Sequence, residues 1–288
     1  MQGVFFAMAD ILKGGPCAKA LTEELIGRTV TLKQKDVTPC LALLRIGERG
    51  DDIAYENAAV KRCEKIGISV KKFLLRSDVS REEVLSAVRA INMDADIHGC
   101  LMFRPFPDKA VEEAASRLLL PEKDVDCMTS GSLASVFSGS GVGYPPCTAE
   151  AVVRLLHYYD IPISGRRVTV AGRSLVIGKP VSMLLLRENA TVTVCHSRTE
   201  DLAGECRRAD IVVAAIGKAK LLTKEFFAKG QVVVDVGINV DAAGNMCGDC
   251  DFEAAEPVVV AITPVPGGVG SVTTAVLCEH VVRAAEKA

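Results

Sequence analysis

Residues 51–67, "DDIAYENAAVKRCEKIG", read as one helix carrying a single tyrosine among alanines. A phenol held beside an amine can shuttle protons. Helix neighbours lie four residues apart at about 100° per residue. That spacing sets Ala59, not a base, next to Tyr55. Lys61 is six positions on and points roughly 240° round the helix. From this stretch alone, Tyr55 either takes part in proton transfer or packs against a sheet.

Anion chemistry is written elsewhere. "VTVAGRSLVIGKPVSMLL" puts Gly172 directly after a strand and Gly178 at a helix entry. Glycine permits a tight turn, and a helix N-terminus offers unpaired N–H groups to a phosphate. The spacing is not G-x-G-x-x-G, so an ordinary strand-to-helix turn fits as well. The next strand ends at "CHSRT", where a domain selective for NAD often has an acidic residue for the ribose. This chain has Ser197 and Arg198 there, with Arg173 in the first turn. A hydroxyl and guanidinium groups suit a 2′-phosphate, so the expected cofactor is NADP rather than NAD. Solvated loop arginines are the alternative. In "TPVPGGVGSVTTAV", prolines stiffen a loop whose glycines let a ligand approach the backbone, including Pro266, Gly267 and Gly268. Ser271 or a nearby threonine is positioned to cap the helix that follows.

Metal chemistry finds little support. "CGDC", at Cys247 and Cys250, lacks the second pair of a structural zinc site, and the histidines at 98, 157, 196 and 280 show no ligand spacing. No metal is expected. The eleven cysteines are scattered and odd in number. The opening "MQGVFFAMADILKGG" lacks a basic start and cleavage site, so free thiols in a reducing cytoplasm are expected. No apolar run is long enough for a bilayer, and a net charge of −2 argues against a nucleic-acid surface.

The elements that must position these residues alternate between strand and helix. "PCLALLRIG", "SVKKFLL" and "HGCLMF" read as strands, and "SREEVLSAVRAIN" as a helix capped by Ser80. "SGSLASVFSGSGVGYPPCT" reads as a Gly/Ser-rich loop and a boundary. A helix begins at about Thr148, and "RRVTVAG", "TVTVCHS", "DIVVAAIG" and "VVVDVGI" are strands of a doubly wound nucleotide-binding domain. With 288 residues, two domains are expected. The fold class is therefore α/β: a βα-repeat domain at 1–147, a Rossmann-like domain at 148–270, and a C-terminal helix at 271–288 returning to the first domain.

Taken together, "ADILKG", "KRCEKIGI", "PEKDVD", "PPCTAEAV", "VAGRSLVIGKP", "ATVTVCHSRT", "DVGIN", "GDCDFEAAE" and "TPVPGGVG" resemble the methylenetetrahydrofolate dehydrogenase/cyclohydrolase family, the bifunctional FolD proteins. The likeness runs from about Met8 onward and leaves open whether residues 1–7 are the native start. It implies a homodimer of two-domain subunits, each holding a folate and NADP in a cleft. It places Gly172, Arg173, Ser174, Ser197 and Ile238 at cofactor positions. Asp126 falls where a carboxylate grips the pterin, although by itself it reads as a solvent-facing loop acid.

The same resemblance shows what has changed. The family commonly carries Tyr-x-x-x-Lys on this helix and a glutamine on a neighbouring strand. Here the tyrosine is kept as Tyr55, while those positions hold Ala59 and Phe103. Cys127 stands where glycine is usual and Ser271 where proline is usual. Lys61 and Arg104 are the available substitutes, but one points round the helix and the other alternates to the opposite strand face. The expectation is an NADP-dependent dehydrogenase with cyclohydrolase activity absent or strongly reduced. Its rivals are a fully bifunctional enzyme with another base and a non-catalytic folate- or NADP-binding protein. A dehydrogenase for an amino or hydroxy acid fits "PEKDVD" and "TPVPGGVG" poorly.

Overall fold

The computed structural model describes residues 9–288. Residues 1–7, whose standing as the native start the resemblance leaves open, lie outside the described residues. In chain order the elements begin with β1 (Asp10–Ile11), α1 (Gly14–Lys33), β2 (Cys40–Ile46), α2 (Gly50–Ile66), β3 (Ser69–Leu75), α3 (Arg81–Met93) and β4 (Gly99–Met102). Next are α4 (Lys109–Leu118), α5 (Ser130–Ser138), α6 (Cys147–Tyr158), β5 (Arg167–Ala171), α7 (Gly178–Arg187), β6 (Thr191–Cys195) and α8 (Leu202–Arg207). The last are β7 (Ile211–Ala214), β8 (Val232–Asp235), β9 (Asn239–Val240), β10 (Met246–Cys247), α9 (Phe252–Ala255), β11 (Ala261–Ile262) and α10 (Thr273–Ala285).

The chain divides into two compact units. One joins the described residues up to Ala18 to Thr148–Thr273; the other joins Lys19–Cys147 to Thr274–Ala288. The second unit is built on a parallel sheet of order β3-β2-β4. Its central strand, "CLALLRI", is buried along its whole length, as a strand covered on both faces must be. The edge strand β3 has only exposed and half-buried positions. Ser80 closes a capping box with Glu83 at the start of α3, as its place before the helix predicts. The C-terminal helix α10 belongs to this unit, in line with the expected return of that helix to the first domain.

The Gly/Ser-rich run was expected to be loop, yet α5 forms inside it. The Thr129 side chain accepts the Ser132 N–H at its start, and Gly139, left-handed at φ 75°, ends it. Capping at both ends outweighs the low helix propensity of the sequence between.

The first unit carries a six-stranded sheet of order β1-β11-β8-β7-β5-β6 in which every neighbouring pair is parallel. From β5 the chain passes outward to β6 and then crosses back over β5 to β7. The strand order therefore reverses beside the carboxyl end of β5, the switch point at which open α/β sheets bind ligands. One edge strand is β1, from the far end of the sequence: Asp10 pairs with Ala261 and Ile11 with Ile262. The sequence division put this segment with residues 1–147; the structure counts it with the six-stranded sheet. Two residues are too few to show a period.

All eleven cysteines are buried free thiols, Cys247 and Cys250 included. Among the described residues no helix is long and apolar enough to cross a membrane, and no His, Cys, Asp or Glu cluster could hold a metal ion.

Candidate active site

In the six-stranded unit, a cavity of about 290 Å³ opens at the switch point, lined among others by Gly172, Arg173, Ser174, Ser197 and Lys218. Gly172 follows β5 at φ 139°, and a Cβ there would lie 2.1 Å from the Ala215 carbonyl oxygen. A Cβ on Gly178 would lie 2.3 Å from the Gly172 carbonyl oxygen. Neither position admits a side chain, so the turn between β5 and α7 is bare main chain packed closely on itself. The Ser174 hydroxyl accepts the Ile177 N–H at 3.1 Å and steadies the turn.

Arg198 is not part of that lining. Its side chain is exposed, and its N–H donates to His196 Nδ1 at 3.1 Å. Ile238 stands apart as well. It lines a second cavity of about 240 Å³ with Pro266, Gly267, Gly268 and Ser271. The loop of this cavity is buttressed by the N-terminal segment. The Gly14 N–H donates to the Gly267 carbonyl at 2.8 Å. A Cβ on Gly14 would fall 2.0 Å from the Gly268 carbonyl oxygen, which gives the "ADILKG" glycine its reason. Ser271 ends a 3-10 turn, and the Thr273 hydroxyl donates to the Gly270 carbonyl at 3.0 Å.

Two buried aspartates, unremarked in the sequence, shape both cavities. Asp249 of "CGDC" accepts the N–H groups of Ile216, Gly217 and Lys218 at 2.5, 3.1 and 2.9 Å, and Asn239 Nδ2 at 2.9 Å. Asp235, at the end of β8, accepts the N–H groups of Gly237, Asp249 and Cys250 at 2.9, 3.0 and 2.8 Å. Burial pushes the Asp235 carboxyl up to about 6 in spite of those three donors. The signal for Asp235 was an acid at a strand end with glycine two residues on, in "DVGIN"; Asp249 had none.

In the three-stranded unit, the buried face of α2 is Asp52, Glu56, Ala59, Cys63 and Ile66. Ala59 is fully buried and Phe103 is 7% exposed. The Tyr55 ring meets Phe103 edge-on, with centroids 6.2 Å apart and planes at 77°. Lys61 is exposed. Sequence reasoning missed Arg45, hidden in an apolar strand. Its Nε lies 2.7 Å from Glu56, and Lys72 Nζ reaches the other carboxylate oxygen at 2.9 Å. Burial alone would raise the Glu56 pKa. The hydrogen bonds from Lys72 and Arg45 outweigh it and hold the carboxyl below its usual range.

Asp126 is half-buried, with Oδ1 accepting the Cys147 N–H at 2.9 Å. Burial raises its pKa against that bond and the nearby Arg104 charge. Asp124 fixes the same loop by accepting the N–H groups of Met128 at 3.0 Å and Thr129 at 2.7 Å. Cys127, where glycine was expected, adopts the left-handed conformation at φ 58°.

A cavity at the switch point of a parallel sheet is the arrangement of a nucleotide-binding α/β protein, here with a second βα unit carrying Tyr55 and Asp126. Residues 12–126 match the family model for the tetrahydrofolate dehydrogenase/cyclohydrolase catalytic domain, and residues 146–288 match that for its NAD(P)-binding domain. The chain belongs to the tetrahydrofolate dehydrogenase/cyclohydrolase family. It is 52% identical to the bifunctional protein FolD of Carboxydothermus hydrogenoformans over 97% of this chain and 98% of that one. It is 48% identical to that of Clostridioides difficile over 96% of each. Among solved structures, FolD of Campylobacter jejuni superposes with a TM-score of 0.92 at 34% identity, covering 97% of this chain and 99% of that one. FolD of Trypanosoma brucei, solved with NADP and an inhibitor, gives 0.90 at 33% identity over 98% of each.

Proposed function

We propose that this chain oxidises 5,10-methylenetetrahydrofolate to 5,10-methenyltetrahydrofolate with NADP, and that hydrolysis of the methenyl product is absent or strongly reduced. The carrying observation is the pair Ala59 and Phe103. Both are buried, and Phe103 packs edge-on to Tyr55, where the family carries a lysine and a glutamine.

NADP, when bound, accepts the hydride. The turn at Gly172 and Gly178 puts no side chain in the way of its phosphates beside the N-terminus of α7, and Ser174 shapes that turn. Arg173 and Ser197 line the same cavity and suit a 2′-phosphate, with Lys218 as a further cation; Arg198 stands outside that lining. The NADP held by the Trypanosoma brucei relative supports the same choice over NAD. Ile238 shares a cavity with Pro266, Gly267 and Gly268, which supports a cofactor end meeting substrate there. Asp126 accepts hydrogen bonds from pterin N–H groups. Hydride loss from the methylene carbon is driven by the folate nitrogens, so placement is the main demand on the protein.

Hydrolysis demands more. Water must attack the cationic carbon and protons must move to open the ring, and positioned acid–base help typically contributes about 100- to 10,000-fold. A methyl group and a phenyl ring supply none. Wild-type protein given 5,10-methenyltetrahydrofolate should consume it at close to the buffer rate. The double variant Ala59→Lys, Phe103→Gln should accelerate ring opening without a matching gain in hydride transfer. Rapid consumption by the wild type would instead establish the fully bifunctional reading, and ligand binding without NADP reduction would establish the non-catalytic one.

The family resemblance further supports a homodimer, measurable by light scattering. The eleven buried thiols fit a reducing cytoplasm.

A further inference from the structure

The loop that carries Asp126 is clamped from the far end of the sequence. His280, on α10, is fully buried, and its Nδ1 lies 2.9 Å from the carbonyl oxygen of Val125, the residue immediately before Asp126. A carbonyl only accepts, so Nδ1 carries the proton in this contact. The Cys147 thiol donates to the same carbonyl at 3.3 Å, which occupies both of its lone pairs. The Cys147 N–H also holds Asp126 Oδ1 at 2.9 Å.

The imidazole is itself fixed. Tyr144 stacks on it with centroids 5.0 Å apart and planes at 29°, and the Arg283 guanidinium lies 5.4 Å from the Tyr144 ring centre. Beneath the clamp, Gly99 of β4 leaves room for Val125: a Cβ there would fall 2.5 Å from Val125 Cγ1 and 3.1 Å from Val281 Cγ2. The main chain leading into Asp126 is thus held on its carbonyl by His280 and Cys147, and on its side chain by β4 and α10.

We propose that His280 is a positioning residue for substrate binding. It fixes the direction of the Asp126 carboxylate through the Val125 carbonyl, without touching substrate itself. This deepens the functional reading above and rests on it. A carboxylate that must meet paired N–H groups of a planar ring is sensitive to its heading, and that heading is set by the main chain that carries it.

The test is steady-state kinetics of the full chain with 5,10-methylenetetrahydrofolate and NADP, alongside thermal unfolding. His280→Leu keeps an apolar body of similar bulk and removes the donor. It should raise the folate KM about tenfold while kcat and the NADP KM stay within about twofold. His280→Asn, which restores an N–H, should return the folate KM to within about threefold of wild type. Cys147→Ala retains the backbone bond to Asp126 but removes the thiol from both the Val125 carbonyl and the Asp126 carboxylate, and should raise the folate KM by about threefold.

A folded His280→Leu protein with an unchanged folate KM overturns the proposal, as does a loss in which both KM values and kcat move together with stability. If His280→Leu fails to fold, an unchanged folate KM in Cys147→Ala overturns it. Wild-type protein that does not reduce NADP with this folate rejects the functional reading itself, and the separate control keeps the two failures distinct.

Discussion

At Tyr55 the chemistry of one residue is decided by its neighbours. A phenol beside an amine moves protons, whereas a phenol packed edge-on to Phe103 has a ring for company at that face. The same helix is also held by charge. Glu56, next in sequence to Tyr55, is tied to Arg45 on β2 and Lys72 on β3. A buried ion pair adds little over a well-packed apolar pair, but removing one partner strands the other charge. Glu56→Gln should therefore destabilise the protein by about 3 kcal/mol in denaturant unfolding. Arg45→Met combined with Glu56→Leu should recover most of that loss. Equal losses in the single and double variants would show that the pair does more than satisfy its own charges. None of this was legible beforehand, because "CLALLRI" reads as an unbroken core strand and Arg45 is its one charged position.

Among the elements, the four strands of the six-stranded sheet between Arg167 and Asp235 announced themselves through apolar runs, and the turn at Gly172 through its glycines. The device that holds its loops did not. Asp235 and Asp249 lie 14 residues apart and act by accepting main-chain N–H groups, which leaves no periodic trace. Their energetics give a pH signature. The Asp235 carboxyl, at about 6 against 3.8 for the free side chain, binds its proton more readily folded than unfolded. Its contribution to stability is thus fully present below about pH 4 and is lost as pH rises through about 6. The stability of the wild type relative to Asp235→Asn should fall by up to about 3 kcal/mol between pH 4 and pH 7, read from urea unfolding at each pH. A flat difference across that range would mean the three N–H donors keep Asp235 ionised throughout. The helix α5 was missed for a different reason: it is held by its caps, and it opens on Ser-Gly-Ser within a run rich in Gly and Ser.

On the scale of the whole molecule, the family was legible because its signatures are glycine and proline loops, where backbone geometry dictates residue type. The grouping of the chain was harder to see. A two-residue strand at the N-terminus completes a sheet whose other strands begin at residue 167, and His280 reaches a carbonyl 155 residues away. Contacts of that reach leave no local pattern. The loss of the lysine and glutamine, by contrast, could be read at once, since a substitution against a known motif needs no structure. Whether hydride transfer has been separated from ring opening is decided by one reaction containing 5,10-methylenetetrahydrofolate, NADP and the protein, with NADPH and the methenyl product followed together against a protein-free control. The account predicts one methenyl accumulated for each NADPH formed, corrected for buffer hydrolysis. NADPH rising while the methenyl product fails to accumulate would contradict it.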